Sequence, residues 1–114
     1  MSGPRPLVTD LRALLAAHGD ASYRDVLRVP ALSLGLFAAG PGHHDTQTEH
    51  TQDEVYVVLD GAAVLDVAGE RTPVSPGSVA YVPAGVPHRF MELTDDLRVL
   101  VVFAPPEAPG VQSG

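Results

Sequence analysis

The chain has 114 residues, 45% of them hydrophobic and 18% charged, and its formal net charge at pH 7 is -7. That length corresponds to one domain with enough apolar material for a single packed core. All seven basic residues are arginines scattered singly along the chain, so we expect no nucleic-acid partner. No apolar run approaches the roughly 20 residues of a bilayer-spanning helix and no signal peptide is recognisable, which predicts a cytoplasmic protein with no membrane partner.

Several residue types are missing, and each absence excludes a kind of chemistry. The chain has no cysteine, lysine, tryptophan or asparagine. Disulfide frameworks, thiolate nucleophiles, cysteine-ligated zinc and lysine Schiff bases are therefore excluded. The remaining groups are imidazole, carboxylate, phenol and hydroxyl, which suit a metal site built from histidine and carboxylate, or simple acid–base catalysis.

Residues 1–20 are predicted to form an N-terminal tail followed by one short helix or a pair of turns. Leucines recur at helical spacing from Leu11 to Leu15, Thr9 or Asp10 can serve as the N-cap, and Gly19 can end the helix. Residues 106–114 are rich in Pro, Gly and Ser, and we expect a flexible C-terminal tail.

Between these ends, residues 21–105 are predicted to form an all-β sandwich or barrel. Short apolar runs alternate with Gly, Pro and Asp every eight to twelve residues, a pattern typical of such folds. Strands are predicted at 29–39, 55–59, 62–67, 78–82, 88–93 and 97–103. The last run is so apolar that we expect it to be buried on both faces. Asp60-Gly61 predicts a type I′ hairpin between its two flanking strands, because this turn needs positive φ angles.

The candidate chemistry comes from histidines and one glutamate. His43, His44 and His50 lie in one short stretch shortly before Glu54, and His88 follows much later in the chain. If Glu54 points into a barrel, its carboxylate needs partners, and His50 and His88 are the candidates. Two imidazoles and one carboxylate form a facial triad that suits iron, manganese, nickel or zinc.

The other histidines have simpler interpretations. Near a helix C-terminus, His18 is expected to be a solvated residue that favours the helix dipole. His43 and His44 lie in a polar, Gly-rich loop and are expected to be surface residues.

Two motifs give these residues a specific spacing. The pattern G-x5-H-x-H-x3-E-x6-G is followed at every fixed position except one by Gly42, Thr48, His50, Glu54 and Gly61. The pattern G-x5-P-x-G-x2-H-x3-N is likewise followed except at its last position by Gly77, Pro83, Gly85, His88 and Glu92.

On these motifs, from Leu32 to Pro105, the sequence resembles a small single-domain cupin. The resemblance implies a double-stranded β-helix, which is a jelly-roll barrel, with a divalent metal held inside by His50, Glu54 and His88. Cupins usually have a histidine where this chain has Thr48. A fourth ligand could then come from Gln47, which we favour slightly, from His44, or from water.

The resemblance also implies a small-molecule substrate and a homodimer. Expected activities are of the oxygenase type, including dioxygenase, or related decarboxylase, isomerase and cyclase chemistry. The alternative is a cupin that binds a metal or a sugar-like ligand without catalysis, or that has lost its metal. The candidate pocket residues are Tyr56, Phe90, Phe37 and Tyr81, and Tyr56 is the strongest because it shares a strand face with Glu54.

Overall fold

The computed structural model describes residues 6–18, 22–42 and 51–106. It contains one helix and eight strands, with the bounds α1 Leu11–His18, β1 Tyr23–Val29, β2 Leu32–Ala39, β3 Asp53–Asp60, β4 Ala63–Val67, β5 Glu70–Val74, β6 Val79–Val82, β7 His88–Met91 and β8 Leu97–Ala104. Within the described ranges, no helix is long and apolar enough to span a membrane. The all-β prediction is confirmed.

The strands form two antiparallel sheets. One has five strands in the order β1-β2-β8-β3-β6, and the other has three in the order β5-β4-β7. The central strand β8 pairs with both β2 and β3. Its residues alternate between fully buried and half-buried, so only one of its faces is enclosed. The prediction that β8 is buried on both faces is therefore wrong.

The short helix α1 begins at an aspartate cap. Asp10 Oδ1 accepts a hydrogen bond from the backbone N–H of Ala13 at 2.8 Å, which satisfies one of the free donors of the first turn. Asp10, rather than Thr9, is therefore the N-cap. The predicted stop at Gly19 lies outside the described residues.

The predicted hairpin at Asp60-Gly61 is wrong, because β3 and β4 belong to different sheets. Gly61 does have a positive φ of 84°, but it turns the chain from one sheet to the other. A Cβ at this position would lie 2.3 Å from the carbonyl oxygen of Asp96, so the corner also requires glycine for close packing. The two-residue hairpin occurs instead at Ala68-Gly69 between β4 and β5, with φ of 52° and 86°.

Two strands were not predicted from the sequence. In β1, a register shift between Asp25 and Leu27 interrupts the alternation of apolar and polar residues. In β5, four of five residues are exposed and the strand contains Pro73. Because β5 is an edge strand, the missing N–H of that proline can be tolerated.

The core lies between the two sheets and contains a small aromatic cluster. The ring of Phe90 from β7 stacks on Phe37 from β2 with centroids 6.1 Å apart. It also meets Tyr56 from β3 edge-on at 5.0 Å. These contacts fix the two sheets relative to each other around the interior where the candidate site lies.

Candidate functional site

Glu54 points into the space between the sheets. Along β3 the residues alternate between buried and less buried, and Glu54, Tyr56 and Val58 occupy the buried positions. Only 1% of the Glu54 surface is exposed. The inward direction of this carboxylate therefore follows from the period-two geometry of the strand.

His88 is the first residue of β7 and is equally buried, with 1% exposed. It follows the segment Pro83-Ala84-Gly85-Val86-Pro87, in which the N–H of Val86 bonds to the carbonyl of Pro83 at 3.3 Å. The His88 Nδ1 lies 2.9 Å from the carbonyl oxygen of Val86. Because a carbonyl can only accept, Nδ1 carries the proton in this contact, and in the neutral ring Nε2 keeps its lone pair.

The two side chains meet across the interior. Nε2 of His88 lies 3.2 Å from Oε1 of Glu54. A neutral imidazole lone pair and a carboxylate oxygen repel each other at this distance unless a positive charge lies at the pair. A proton on the imidazole or a metal cation can supply that charge. Because the pair is buried and water screens it little, the positive charge stabilises the pair more strongly than it would at the surface. The donor types, one imidazole nitrogen and one carboxylate oxygen, fit a divalent transition metal.

An aromatic ring lies beside this pair, with two further rings of the core behind it. The ring of Tyr56 lies 6.0 Å from the His88 ring, centroid to centroid, and is 1% exposed. Phe90 and Phe37 are also buried and stack behind it. Tyr56 therefore lies next to the pair, while Phe90 and Phe37 belong to the buried core, and their place in a ligand pocket stays a prediction.

The prediction for Tyr81 is corrected. Tyr81 lies opposite Val55 in the β3–β6 ladder, so it faces away from Glu54, and 59% of it is exposed. It lines a groove of about 390 Å³ that is formed by residues of β4, β5 and β6. The alternation along β6 would have assigned Tyr81 to the outer face if the register between β3 and β6 were known, but the sequence does not give that register.

The remaining predicted ligands, His50 and Gln47, lie outside the described residues, as do His43, His44 and Thr48. Within the residues that the structure covers, no three His, Cys, Asp or Glu side chains are grouped so that they could hold a metal ion. The described pair of Glu54 and His88 supplies two metal-binding atoms, Oε1 and Nε2. The two described donors fit the metal that the sequence motifs imply.

Sequence reasoning did not identify the carbonyl of Val86 as part of the site. A backbone acceptor carries no residue-type signal. The sequence indication was the Pro83 to Pro87 segment itself, whose two prolines and one glycine predict a sharply bent chain immediately before His88.

Comparison with known proteins agrees with this architecture. The family description "Cupin domain" matches residues 35–103, which include β3, β7 and both members of the buried pair. The chain belongs to the cupin domain family. This confirms the resemblance drawn from the two motifs.

Relatives of this cupin include one of similar length and two distant enzymes. It is 50% identical over 99 residues to uncharacterized protein SCO3923 of Streptomyces coelicolor, covering 87% of this chain and 93% of that protein. It is 27% identical over 103 residues to dimethylsulfoniopropionate lyase DddW of Ruegeria pomeroyi, covering 90% of this chain and 64% of the lyase. It is 32% identical over 107 residues to acireductone dioxygenase of Leishmania infantum, covering 87% of this chain but only 30% of the dioxygenase. The chain thus spans less than two thirds of either enzyme.

A solved structure shows the same fold over nearly the whole cupin. The crystal structure of BH2720 from Bacillus halodurans superposes with a TM-score of 0.83 at 21% identity, covering 96% of this chain and 89% of that one. At this identity the similarity establishes the fold and nothing about activity.

Proposed function

We propose that this cupin holds a divalent metal ion through His50, Glu54 and His88 and acts on a small organic molecule. The observation that carries the proposal is the buried pair of Glu54 and His88, with Oε1 and Nε2 3.2 Å apart. Gln47 is proposed as the fourth ligand, in the place of the histidine that Thr48 replaces. Iron, manganese, nickel and zinc all suit such a donor set.

The residues of the chain have separate roles in this proposal. The Val86 carbonyl holds the proton on Nδ1 of His88. Nε2 then keeps the lone pair with which it would bind the metal. The phenol of Tyr56 can exchange hydrogen bonds with a molecule bound next to the pair, while Phe90 and Phe37 exclude water behind it. The metal itself would supply Lewis-acid polarisation or oxygen activation when bound.

For the reaction, we propose oxygenase-type or related lyase, decarboxylase, isomerase or cyclase chemistry on a small molecule. Support comes from the two distant relatives, which are named as a lyase and a dioxygenase. Their reactions differ, so they support small-molecule chemistry in general and favour neither reaction.

Metal content is the test of the site. We expect about one ion per chain in untagged protein by inductively coupled plasma mass spectrometry, and loss of that ion in a His50→Ala/His88→Ala variant. The matched control is His18→Ala, which removes a histidine that the proposal does not use, and which should keep the metal. A wild-type protein that retains no metal after incubation with iron, manganese, nickel and zinc would contradict the proposal.

The substitution of Thr48 for the usual histidine favours a second candidate, a cupin without metal that binds a sugar-like ligand. It predicts that the metal-free protein keeps full thermal stability and that added metals leave its Tm unchanged. A metal ligand set would instead raise the Tm in proportion to the logarithm of the metal concentration.

We further propose that the protein is a homodimer formed through the outer face of the five-stranded sheet. At the β6 edge this face carries two large exposed hydrophobic side chains, Val79 and Tyr81, which are 69% and 59% exposed. Light scattering after size exclusion should give twice the chain mass for the wild type and one chain mass for Val79→Glu. Val79→Thr is the matched control of similar size. A monomeric wild type would refute this proposal.

A further inference from the structure

On the opposite face of β3 from Glu54, Asp53 connects this strand to the loop that precedes His88. Its Oδ1 accepts a hydrogen bond from the backbone N–H of Ala84 at 2.9 Å, although the two residues are 31 positions apart in the sequence. The Asp53 carboxylate also lies near the phenol of Tyr81 on β6. An exposed side chain on β3 therefore links this strand to the turn that precedes His88.

The segment from Pro83 to Pro87 has few backbone N–H groups that can hydrogen-bond to the rest of the protein. Pro83 and Pro87 have no N–H, and the N–H of Val86 is directed at the carbonyl of Pro83 within the turn. Ala84 directs its N–H at Asp53. A hydrogen bond from a backbone donor to a carboxylate is stronger than one between neutral groups, so this contact holds the turn against β3.

These contacts form a path that starts at Asp53 and returns to the next residue of β3, Glu54. Asp53 holds Ala84, and two residues later the carbonyl of Val86 holds Nδ1 of His88 at 2.9 Å. Nε2 of the same ring then lies 3.2 Å from Oε1 of Glu54, which follows Asp53 in the chain. A shift of the turn away from β3 would move the Val86 carbonyl and rotate the imidazole relative to Glu54.

We propose that Asp53 is a positioning residue, which fixes the orientation of the His88 ring against Glu54 through the turn at Ala84. The consequence for a bound metal rests on the proposed function, while the orientation of the ring does not. Asp53 lies on the outer face and acts only through the loop. Its role would be to keep the two metal-binding atoms, Oε1 of Glu54 and Nε2 of His88, at the separation that a metal ion requires.

The first test measures the ring directly in metal-free protein. Proton exchange of His88 Nδ1–H is followed by NMR in the wild type, in Asp53→Ala and in Asp53→Asn, which keeps an oxygen acceptor. The matched control is Asp60→Ala, because Asp60 ends the same strand, is exposed, and accepts the N–H of Gly61 within its own turn. We expect about tenfold faster exchange in Asp53→Ala, the effect of one lost hydrogen bond, and less than about threefold change in the other two.

The second test measures binding of Co²⁺ alone. Asp53→Ala should bind it about tenfold more weakly, with an altered visible spectrum, and Asp53→Asn should restore both affinity and spectrum. Thermal unfolding of each variant separates this effect from general instability, since Asp60→Ala should lose comparable stability without a spectral change.

The outcomes separate the two proposals. If the wild type binds no Co²⁺, the proposed function fails, and the His88 exchange rates still decide whether Asp53 positions the ring. An Asp53→Ala variant with wild-type exchange overturns the inference, and so does a wild type in which His88 Nδ1–H is unprotected. Faster exchange with unchanged Co²⁺ affinity and spectrum overturns the role of Asp53 toward the metal.

Discussion

Replacing Gly35 with alanine should drive the Tyr23 ring out of its place in the sheet. A Cβ on Gly35 would lie 2.1 Å from Oη and 2.4 Å from Cζ of Tyr23, much closer than van der Waals contact allows. The backbone of β2 cannot retreat easily, because it is paired with β1 on one side and β8 on the other. The tyrosine ring must therefore move toward solvent.

The size of the effect follows from the ring. Burying a large apolar side chain contributes about 1.5 to 3 kcal/mol, and Tyr23 is partly buried against the core. We expect Gly35→Ala to lower the free energy of unfolding by about 2 kcal/mol. With an unfolding entropy of roughly 2.1 cal/mol/K per residue, this corresponds to a Tm lower by about 8 °C.

A double-mutant cycle identifies the cause. Thermal and urea unfolding are compared for Gly35→Ala in the wild type, in Tyr23→Ala and in Tyr23→Phe. In Tyr23→Ala the alanine at position 35 should cost less than about 0.5 kcal/mol, since the space is empty and glycine is itself unfavourable in a strand. In Tyr23→Phe the full cost should remain, because Cζ is still present. An equal cost of about 2 kcal/mol in all three backgrounds would refute the reasoning.

Three further outcomes are expected. Ala68→Asn should stabilise the β4–β5 turn by about 0.5 to 1 kcal/mol in thermal unfolding, because asparagine tolerates the φ of 52° better than alanine does, while Ala68→Val should destabilise it. Glu92→Asn should stabilise the protein by a similar amount, because Glu92 has a φ of 54° that asparagine tolerates better. A lower Tm for this variant would contradict the expectation. The pKa of Tyr81 is raised by desolvation, by the Asp53 charge and by the hydrogen bond to Asp53. Its contribution to stability is therefore present below about pH 10 and is lost as pH rises through the folded pKa; absorbance titration should show a lower tyrosinate pKa in Asp53→Asn than in wild type.

The fold class could be predicted because the signals were repeated along the chain, while individual turns depended on contacts far away in sequence. Asp60-Gly61 correctly indicated a positive φ at Gly61, but no local pattern says whether the next strand pairs with the last or crosses to another sheet. Ala68 gave no turn signal, because alanine seldom adopts a positive φ. The hairpin at Ala68-Gly69 was therefore missed.

The site was predictable to the extent that motif spacing reflects strand geometry. The period of β3 and the bent segment before β7 direct Glu54 and His88 toward one point. Tyr81 was misplaced because its face depends on the register of β6 against β3. Asp53 was not identified because its partner Ala84 offers only a backbone N–H, which any residue other than proline has.

The position of β8 has a consequence for the synthesis of the chain. A ribosome makes β8 after the other described strands, yet β8 lies between β2 and β3 in the five-stranded sheet and pairs with both. Until residues 97–104 emerge, the nascent chain carries two open strand edges and an uncovered apolar interior, which are the features that promote aggregation. Pairs such as Ser33 with Phe103 also close very long loops, so this topology folds slowly. The yield of folded protein in a cell should therefore depend on chaperones that protect the chain during this interval.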